Sequence, residues 1–221
     1  MKTVGFVPSR LNSDRVPFKN IRPLGGMPLV NYAIRALNQV KRIDEVALFA
    51  SEPSICQHLK QGLRCRFVKR PEFLDSSTTT IQDLIREFLA VSPADIVVLL
   101  HISSPFLRPE TIEECLEMVQ SGRHDSAFTA VEVKKFCWFR GRPLNYLLEG
   151  PTPRTQDLDP VLVEQSSLYV FTAQLFRETS QRISQRPYIK RIDHFEGHDI
   201  DTEDDFRVAE LIVNTGVYTL A

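Results

Sequence analysis

Val4-Gly-Phe-Val-Pro-Ser-Arg-Leu-Asn-Ser-Asp-Arg-Val-Pro-Phe-Lys-Asn-Ile-Arg-Pro-Leu-Gly-Gly-Met-Pro-Leu-Val30 leads a short apolar strand into a basic loop and then onto an amphipathic helix. The loop carries four cations, Arg10, Arg15, Lys19 and Arg22, against the single acid Asp14. Like charges crowded this way repel, and an ordered structure tolerates them when a multiply charged anion sits among them. A solvated basic loop is the plain alternative. The position shifts the balance toward phosphate: open α/β sheets bind ligands where a strand gives way to its loop, so a triphosphate is the natural candidate.

Working outward, strand and helix patterns alternate through the first 130 residues. Leu29, Val30, Ala33, Ile34, Leu37 and Val40 recur at helical spacing. Glu45–Ala50 reads as a second strand, and a helix from about Pro53 is expected to end at Gly62. Arg66–Val68 reads as a third strand. Ser76–Thr80 should cap a helix with Ile81, Leu84, Ile85, Phe88 and Leu89 on one face. Asp95-Ile-Val-Val-Leu-Leu100 is nearly all apolar, as befits a central strand covered on both sides. A helix from Pro109 and a strand over Ser126–Val133 follow. The rhythm predicts an α/β fold with helices on both faces of the sheet, three layers in αβα order.

It breaks between about residues 134 and 160, where Phe136, Cys137, Trp138, Phe139, Tyr146 and Leu147 crowd together without a period. This reads as a hairpin insertion, and exposed aromatics on such an arm call for cover by a second subunit. Beyond it the pattern predicts a strand near Ser167–Phe171, a helix near Ala173–Ile183, a short strand over His198–Asp201 and a closing helix from Thr202 to about Val213.

The 221 residues suit one domain with that insertion. With 27 basic and 28 acidic side chains the net charge is near zero, which argues against a nucleic-acid surface and makes any anion site local. The cysteines, Cys56, Cys65, Cys115 and Cys137, form no CxxC pair, no secretory signal precedes them, and no apolar run approaches the roughly 20 residues of a membrane span. The expectation is a cytoplasmic protein that engages neither membrane nor nucleic acid.

His198-Asp-Ile-Asp-Thr-Glu-Asp-Asp-Phe206 is the second informative stretch. On a strand, Asp199 and Asp201 would share one face with Ile200 turned to the core, and paired hard oxygens suit Mg²⁺. Capping of the last helix explains Thr202–Asp205 equally well, though not Asp199. His101-Ile-Ser-Ser-Pro-Phe-Leu-Arg108 sets hydroxyls and Arg108 at the sheet edge, where a polar substrate would lie; a strand-ending Ser-Pro turn is the other reading. No G-x-S-x-G elbow, Walker A loop or G-x-G-x-x-G is present.

Taken in order, these segments resemble the acylneuraminate cytidylyltransferase family. Val7-Pro-Ser-Arg-Leu-Asn-Ser-Asp-Arg-Val-Pro-Phe-Lys-Asn20 is similar to that family's I-P-A-R-x-x-S-x-x-x-P-x-K-N. Leu100-His-Ile-Ser-Ser-Pro105 resembles L-Q-P-T-S-P, Arg154-Thr-Gln-Asp-Leu158 resembles R-x-Q-D-L, and Asp199-Ile-Asp-Thr-Glu-Asp-Asp-Phe206 resembles D-I-D-x-x-x-D-F. The resemblance implies a Rossmann-like nucleotidyltransferase sheet with a dimerisation arm. It also implies transfer of CMP from CTP to the anomeric hydroxyl of a sialic-acid-like 2-keto sugar acid, with loss of pyrophosphate.

By position, Arg10 and Lys19 would be catalytic, and Ser9, Ser13 and Asn20 would join them on the nucleotide. Arg70 and Thr79 would lie against the cytidine, Asp199 and Asp201 would hold Mg²⁺, and His101, Ser103, Ser104 and Gln156 would face the sugar. The partners implied are CTP, a sugar acid and a second copy of the chain. His101 and Ile102 replace the family's Gln-Pro, and Gln165-Ser-Ser167 replaces Asn-Gly-Ala, both on the sugar side. Lys19-Asn20 favours a sialic-like over a Kdo-like acceptor, with legionaminic and pseudaminic acids as further candidates. A non-catalytic nucleotide-sugar binding domain would be expected to have lost Lys19 or the aspartates. A GT-A glycosyltransferase should carry D-x-D in mid-chain rather than near the end.

Overall fold

The computed structural model describes residues 1–11 and 15–217. In chain order they form β1 (Thr3–Ser9), the small hairpin strands β2 (Pro23–Leu24) and β3 (Met27–Pro28), α1 (Val30–Gln39), β4 (Glu45–Ala50) and β5 (Arg66–Lys69). Then come α2 (Ile81–Val91), β6 (Ile96–Leu100), α3 (Pro109–Gln120) and β7 (Ser126–Val133). A second hairpin, β8 (Trp138–Phe139) and β9 (Arg142–Pro143), precedes β10 (Val161–Thr172), α4 (Ala173–Thr179), β11 (Tyr188–Ile192) and α5 (Glu203–Thr215).

Seven strands make one sheet in the order β11-β7-β10-β6-β1-β4-β5. β1 pairs in parallel with both β4 and β6, whereas β10 runs antiparallel to β6 and β7. Because neighbouring side chains on a strand point to opposite faces, the apolar run of β6 serves two cores. Ile96, Val98 and Leu100 meet Leu37 of α1, Ile112 of α3 and Phe206 of α5. Val97 and Leu99 meet Phe88 of α2 and Phe176 of α4. On that second face the Phe6 and Phe88 rings stack with centroids 4.1 Å apart. Each such buried side chain contributes about 1.5–3 kcal/mol, so the αβα sandwich is held from both sides.

The strand ends that face the site are set by three local devices. Thr80 caps α2 in a capping box with Asp83, and Thr202 caps α5 in another with Asp205. Between β2 and β3, Gly25 takes φ +54°, and a Cβ there would lie 2.5 Å from Cγ1 of Val213. Only glycine lets this hairpin close against α5, which brings the amino-terminal loop to the carboxyl-terminal helix.

Several sequence expectations change. The segment after Pro53 is a single 3₁₀ run, Pro53–His58, and not a helix to Gly62. Buried Asn31 of α1 explains it: its amide donates to the His58 carbonyl at 2.9 Å and accepts from the Lys60 N–H at 2.7 Å, drawing off backbone groups that a longer helix would use. α4 stops at Thr179, where Ser180 turns left-handed with φ 55°. The strand expected near Ser167–Phe171 begins at Val161 and shifts register between Gln165 and Tyr169, and β11 went unforeseen. His198–Asp201 is not a strand: only the Ile200 N–H is tied to the sheet edge, donating to the Ser103 carbonyl at 2.8 Å. Ile200 is nonetheless fully buried, so the alternation expected of Asp199 and Asp201 survives without a ladder.

Candidate active site

The basic loop is built on buried Val16, whose carbonyl accepts from the Lys19 N–H at 3.1 Å and starts the 3₁₀ turn Lys19–Ile21. Within that turn, the Asn20 amide donates to Ser9 Oγ at 3.1 Å and to the Arg10 carbonyl at 2.8 Å. Asn20 is therefore a brace: it ties the end of β1 to the loop that leaves it. Lys19 extends in the other direction, its Nζ donating to the Ile200 carbonyl at 2.5 Å and lying 4.0 Å from Asp201. Arg22 strengthens the same junction, pairing with Glu203 at 2.7 Å while its guanidinium covers the Phe206 ring at 3.8 Å.

At the C-terminal ends of β1, β5 and β6 these residues enclose a cavity of about 460 Å³. Ser9, Arg10, Lys19, Asn20, Arg70, Thr79, His101 and Ser103, all named from the sequence, line it. Ser13 lies outside the described residues. Ser104 does not line the cavity; it is buried beneath, with its Oγ 3.5 Å from Asp199 Oδ1. Gln156 sits exposed on the arm and does not reach the cavity lining. Arg108 faces elsewhere too: it precedes α3, its N–H donates to Glu196 at 3.0 Å, and its guanidinium pairs with Asp193 at 2.7 Å.

Burial sets the electrostatics. It lowers the Lys19 pKa, and Asp201 and then Asp199 oppose the shift, so the ammonium answers to both carboxylates. Arg70 keeps only 3% of its side chain exposed, and burial pulls its pKa down against the ion pair with Asp75. Its Nε has no hydrogen-bond partner. His101 is similar: Nε2 is buried without a partner, and burial, reinforced by Arg182 and Lys19, brings its pKa down to about 4. Two unsatisfied donor–acceptor atoms in one lining are expected where a ligand is to complete them.

Asp201 adjoins the cavity through Lys19 and Arg15, whose Nη2 is 2.6 Å from Asp201 Oδ1, while Asp199 lies behind it against the buried Ser104. Among the described residues no cluster of three or more His, Cys, Asp or Glu could hold an ion. Two hard carboxylates fit Mg²⁺, which commonly takes one or two protein oxygens and draws the rest from phosphates and water.

Some participants escaped the sequence reading. Arg15 was visible as one cation among four but had no separate role. Behind His101, Arg182 lies 3.6 Å over the Tyr169 ring, and Tyr169 donates to Glu164. No sequence signal marks Arg182, because the left-handed turn after α4 is what swings it inward.

Over residues 4–140 the sequence matches the family described as cytidylyltransferase. The chain belongs to that family. It is 31% identical over 214 residues to the N-acylneuraminate cytidylyltransferase of Oncorhynchus mykiss, covering 91% of this chain and 48% of that protein. The chain thus spans about half the length of the first curated relatives it matches. With the CMP-N,N'-diacetyllegionaminic acid synthase of Legionella pneumophila it shares 28% identity over 227 residues, 96% of this chain and 97% of that one. Its fold matches CMP:2-keto-3-deoxy-manno-octonic acid synthetase complexed with CTP, with a TM-score of 0.72 at 17% identity over 98% of this chain and all of that chain.

Proposed function

We propose that this protein transfers CMP from CTP to the anomeric hydroxyl of a nonulosonic, sialic-acid-like 2-keto sugar acid and releases pyrophosphate. The observation that carries the reading is the convergence of Arg10, Lys19, Asn20 and Arg70 on one cavity, with Asp201 against Lys19. Of two relatives matched over nearly their whole length, one is named for a legionaminic acid and one for pseudaminic acid. That supports an acceptor within the nonulosonic acids.

In the reaction the hydroxyl oxygen bonds to the α-phosphorus as the α–β bridging bond breaks. The electron pair leaves on pyrophosphate and the hydroxyl proton passes to solvent. Positioning and charge neutralisation dominate such transfers. Arg10 and Lys19 offset the charge growing on the β- and γ-phosphates, and Asn20 holds their loop at the end of β1. Arg70 offers Nε and its charge to the cytidine side, near Thr79. His101 and Ser103 face the acceptor, His101 as a neutral imidazole, and Ser104 positions Asp199. Asp199 and Asp201 would hold Mg²⁺, which when bound supplies charge on the phosphate oxygens.

We also propose a homodimer, supported by the exposed Trp138, Phe139, Leu147 and Leu148 of the arm, and a cytoplasmic location, supported by four free cysteines. Among the described residues no helix is long and apolar enough to cross a membrane. The test is pyrophosphate release with CTP and Mg²⁺ across sialic, legionaminic, pseudaminic and Kdo acceptors, repeated with UTP. Acceptor-dependent release with CTP is expected. Release that needs no acceptor, or that prefers UTP, overturns the reading.

A further inference from the structure

Arg15 spans the gap from the basic loop to the carboxyl-terminal carboxylates while remaining largely in solvent. Its Nη2 donates to Asp201 Oδ1 at 2.6 Å, with 64% of its side chain exposed. Its neighbours at that junction are tied more closely to the backbone. Lys19 is 12% exposed and holds the Ile200 carbonyl at 2.5 Å. The Asp201 N–H donates to Asp205 Oδ2 at 3.1 Å, and Asp205 is itself locked in the α5 capping box. The Asp201 backbone is therefore held in place, and Lys19 has little freedom to follow a ligand. Arg15, on a long exposed stem, can.

An ion pair between exposed partners is weak and easily exchanged. While it stands, however, it neutralises Asp201 and covers a carboxylate oxygen. A bare dication must evict that guanidinium and brings no anion of its own to receive it. A metal arriving with a triphosphate meets a different balance, because Arg15 also lines the cavity and its planar fork matches phosphate oxygens.

We propose that Arg15 is an exchangeable stand-in cation. It holds Asp201 in the ligand-free protein and passes to the triphosphate as the metal–nucleotide complex takes that carboxylate. Metal and nucleotide then enter together, and free metal is disfavoured. The inference rests on the reading of Asp201 as a metal carboxylate beside a CTP cavity. Linkage makes it reciprocal: CTP should tighten the metal, and Arg15 should account for part of that coupling.

The experiment is Mn²⁺ titration of the full chain followed by water proton relaxation enhancement, which separates protein-bound Mn²⁺ from Mn²⁺ on free nucleotide. Wild type, Arg15→Ala and Asp201→Asn are each titrated with and without CTP, with circular dichroism to confirm the fold. Wild type is expected to bind Mn²⁺ weakly alone and at least tenfold more tightly with CTP. Arg15→Ala should bind Mn²⁺ alone about three- to fivefold more tightly than wild type, and its CTP-dependent gain should shrink by a similar factor. If Arg15→Ala binds Mn²⁺ alone no better than wild type while Asp201→Asn loses the ternary complex, the stand-in role is overturned and the metal assignment stands. An Asp201→Asn protein that still forms the ternary complex as wild type does overturns the metal assignment instead.

Discussion

The cavity at the ends of β1, β5 and β6 and the arm are two kinds of structure within one chain. Around the cavity each functional residue stands at the end of a strand or on a braced turn, and sheet pairing sets its place: Ser9 opposes Ala50 across the β1–β4 ladder, and β6 delivers His101. The arm has local order, because Asn145 accepts from the Cys137 N–H at 3.0 Å and donates to the Lys135 and Asp159 carbonyls at 2.9 Å. Yet Trp138 and Leu147 remain 55% and 78% exposed. A site that depends on sheet register has its described lining set by the chain's own strands and loops. One that depends on the arm has structure without cover, and its residues acquire meaning only against another surface.

The deepest break between the two regions should come from charge removal at the cavity. Lys19→Ala and Asp201→Ala are each expected to lower kcat/KM by about 10²–10³ with folding intact, the cost of losing one positioned electrostatic contact. Lys19→Arg should also be poor, since a planar fork cannot reproduce a point charge against the Ile200 carbonyl. Steady-state assays of pyrophosphate release measure all three, and a loss below tenfold for Lys19→Ala would remove it from the catalytic machinery.

That same contrast explains what could be read in advance. The basic loop, the β6 run and the α2 and α5 caps were legible because local chemistry dictates them: β6 must be apolar on both faces, and Thr80 and Thr202 sit where orphan N–H groups need an acceptor. The pairing of Arg70 with Asp75, the inward swing of Arg182 and the reach of Arg15 to Asp201 were not legible. Each depends on a turn or a distant packing contact that leaves no period in the sequence. The short 3₁₀ run at Pro53–His58 failed for the same reason, since a buried asparagine on another helix ends it.

Next in size is a pH effect confined to the cavity. His101 titrates near 4 when folded and near 6.5 when unfolded, so between those values the unfolded chain binds the extra proton. Its contribution to stability is therefore complete above about pH 6.5 and lost as pH falls toward 4. At pH 5 the loss is about 2 kcal/mol relative to pH 7.5. Urea unfolding at the two pH values should show this difference in wild type and lack that component in His101→Gln. Equal pH dependence in both proteins would mean that the imidazole is not held neutral.

Arg70→Lys should be milder again. It keeps the charge beside Asp75 but removes the unpaired Nε, and the KM for CTP is expected to rise about tenfold, the worth of one charge-assisted hydrogen bond. The acceptor KM should hardly move, which would mark Arg70 as belonging to the nucleotide side alone.

The smallest effect is the one that best separates the regions. Trp138→Ser with Leu147→Ser removes apolar surface that is mostly exposed, so folding should survive while the proposed dimer dissociates, as sedimentation would register. CTP binding by calorimetry should be unchanged, because every described cavity residue belongs to the sheet edge, its loops or the start of α2, and none to the arm. The acceptor KM should rise by a few-fold, and Gln156→Ala should raise it by a similar factor while the dimer persists, since Gln156 sits on the arm and not in the cavity. Loss of CTP binding in the arm variant would mean that the cavity is not self-sufficient after all. An unchanged acceptor KM in both would mean that the arm serves association alone and that the sugar acid is recognised entirely by His101, Ser103 and their neighbours.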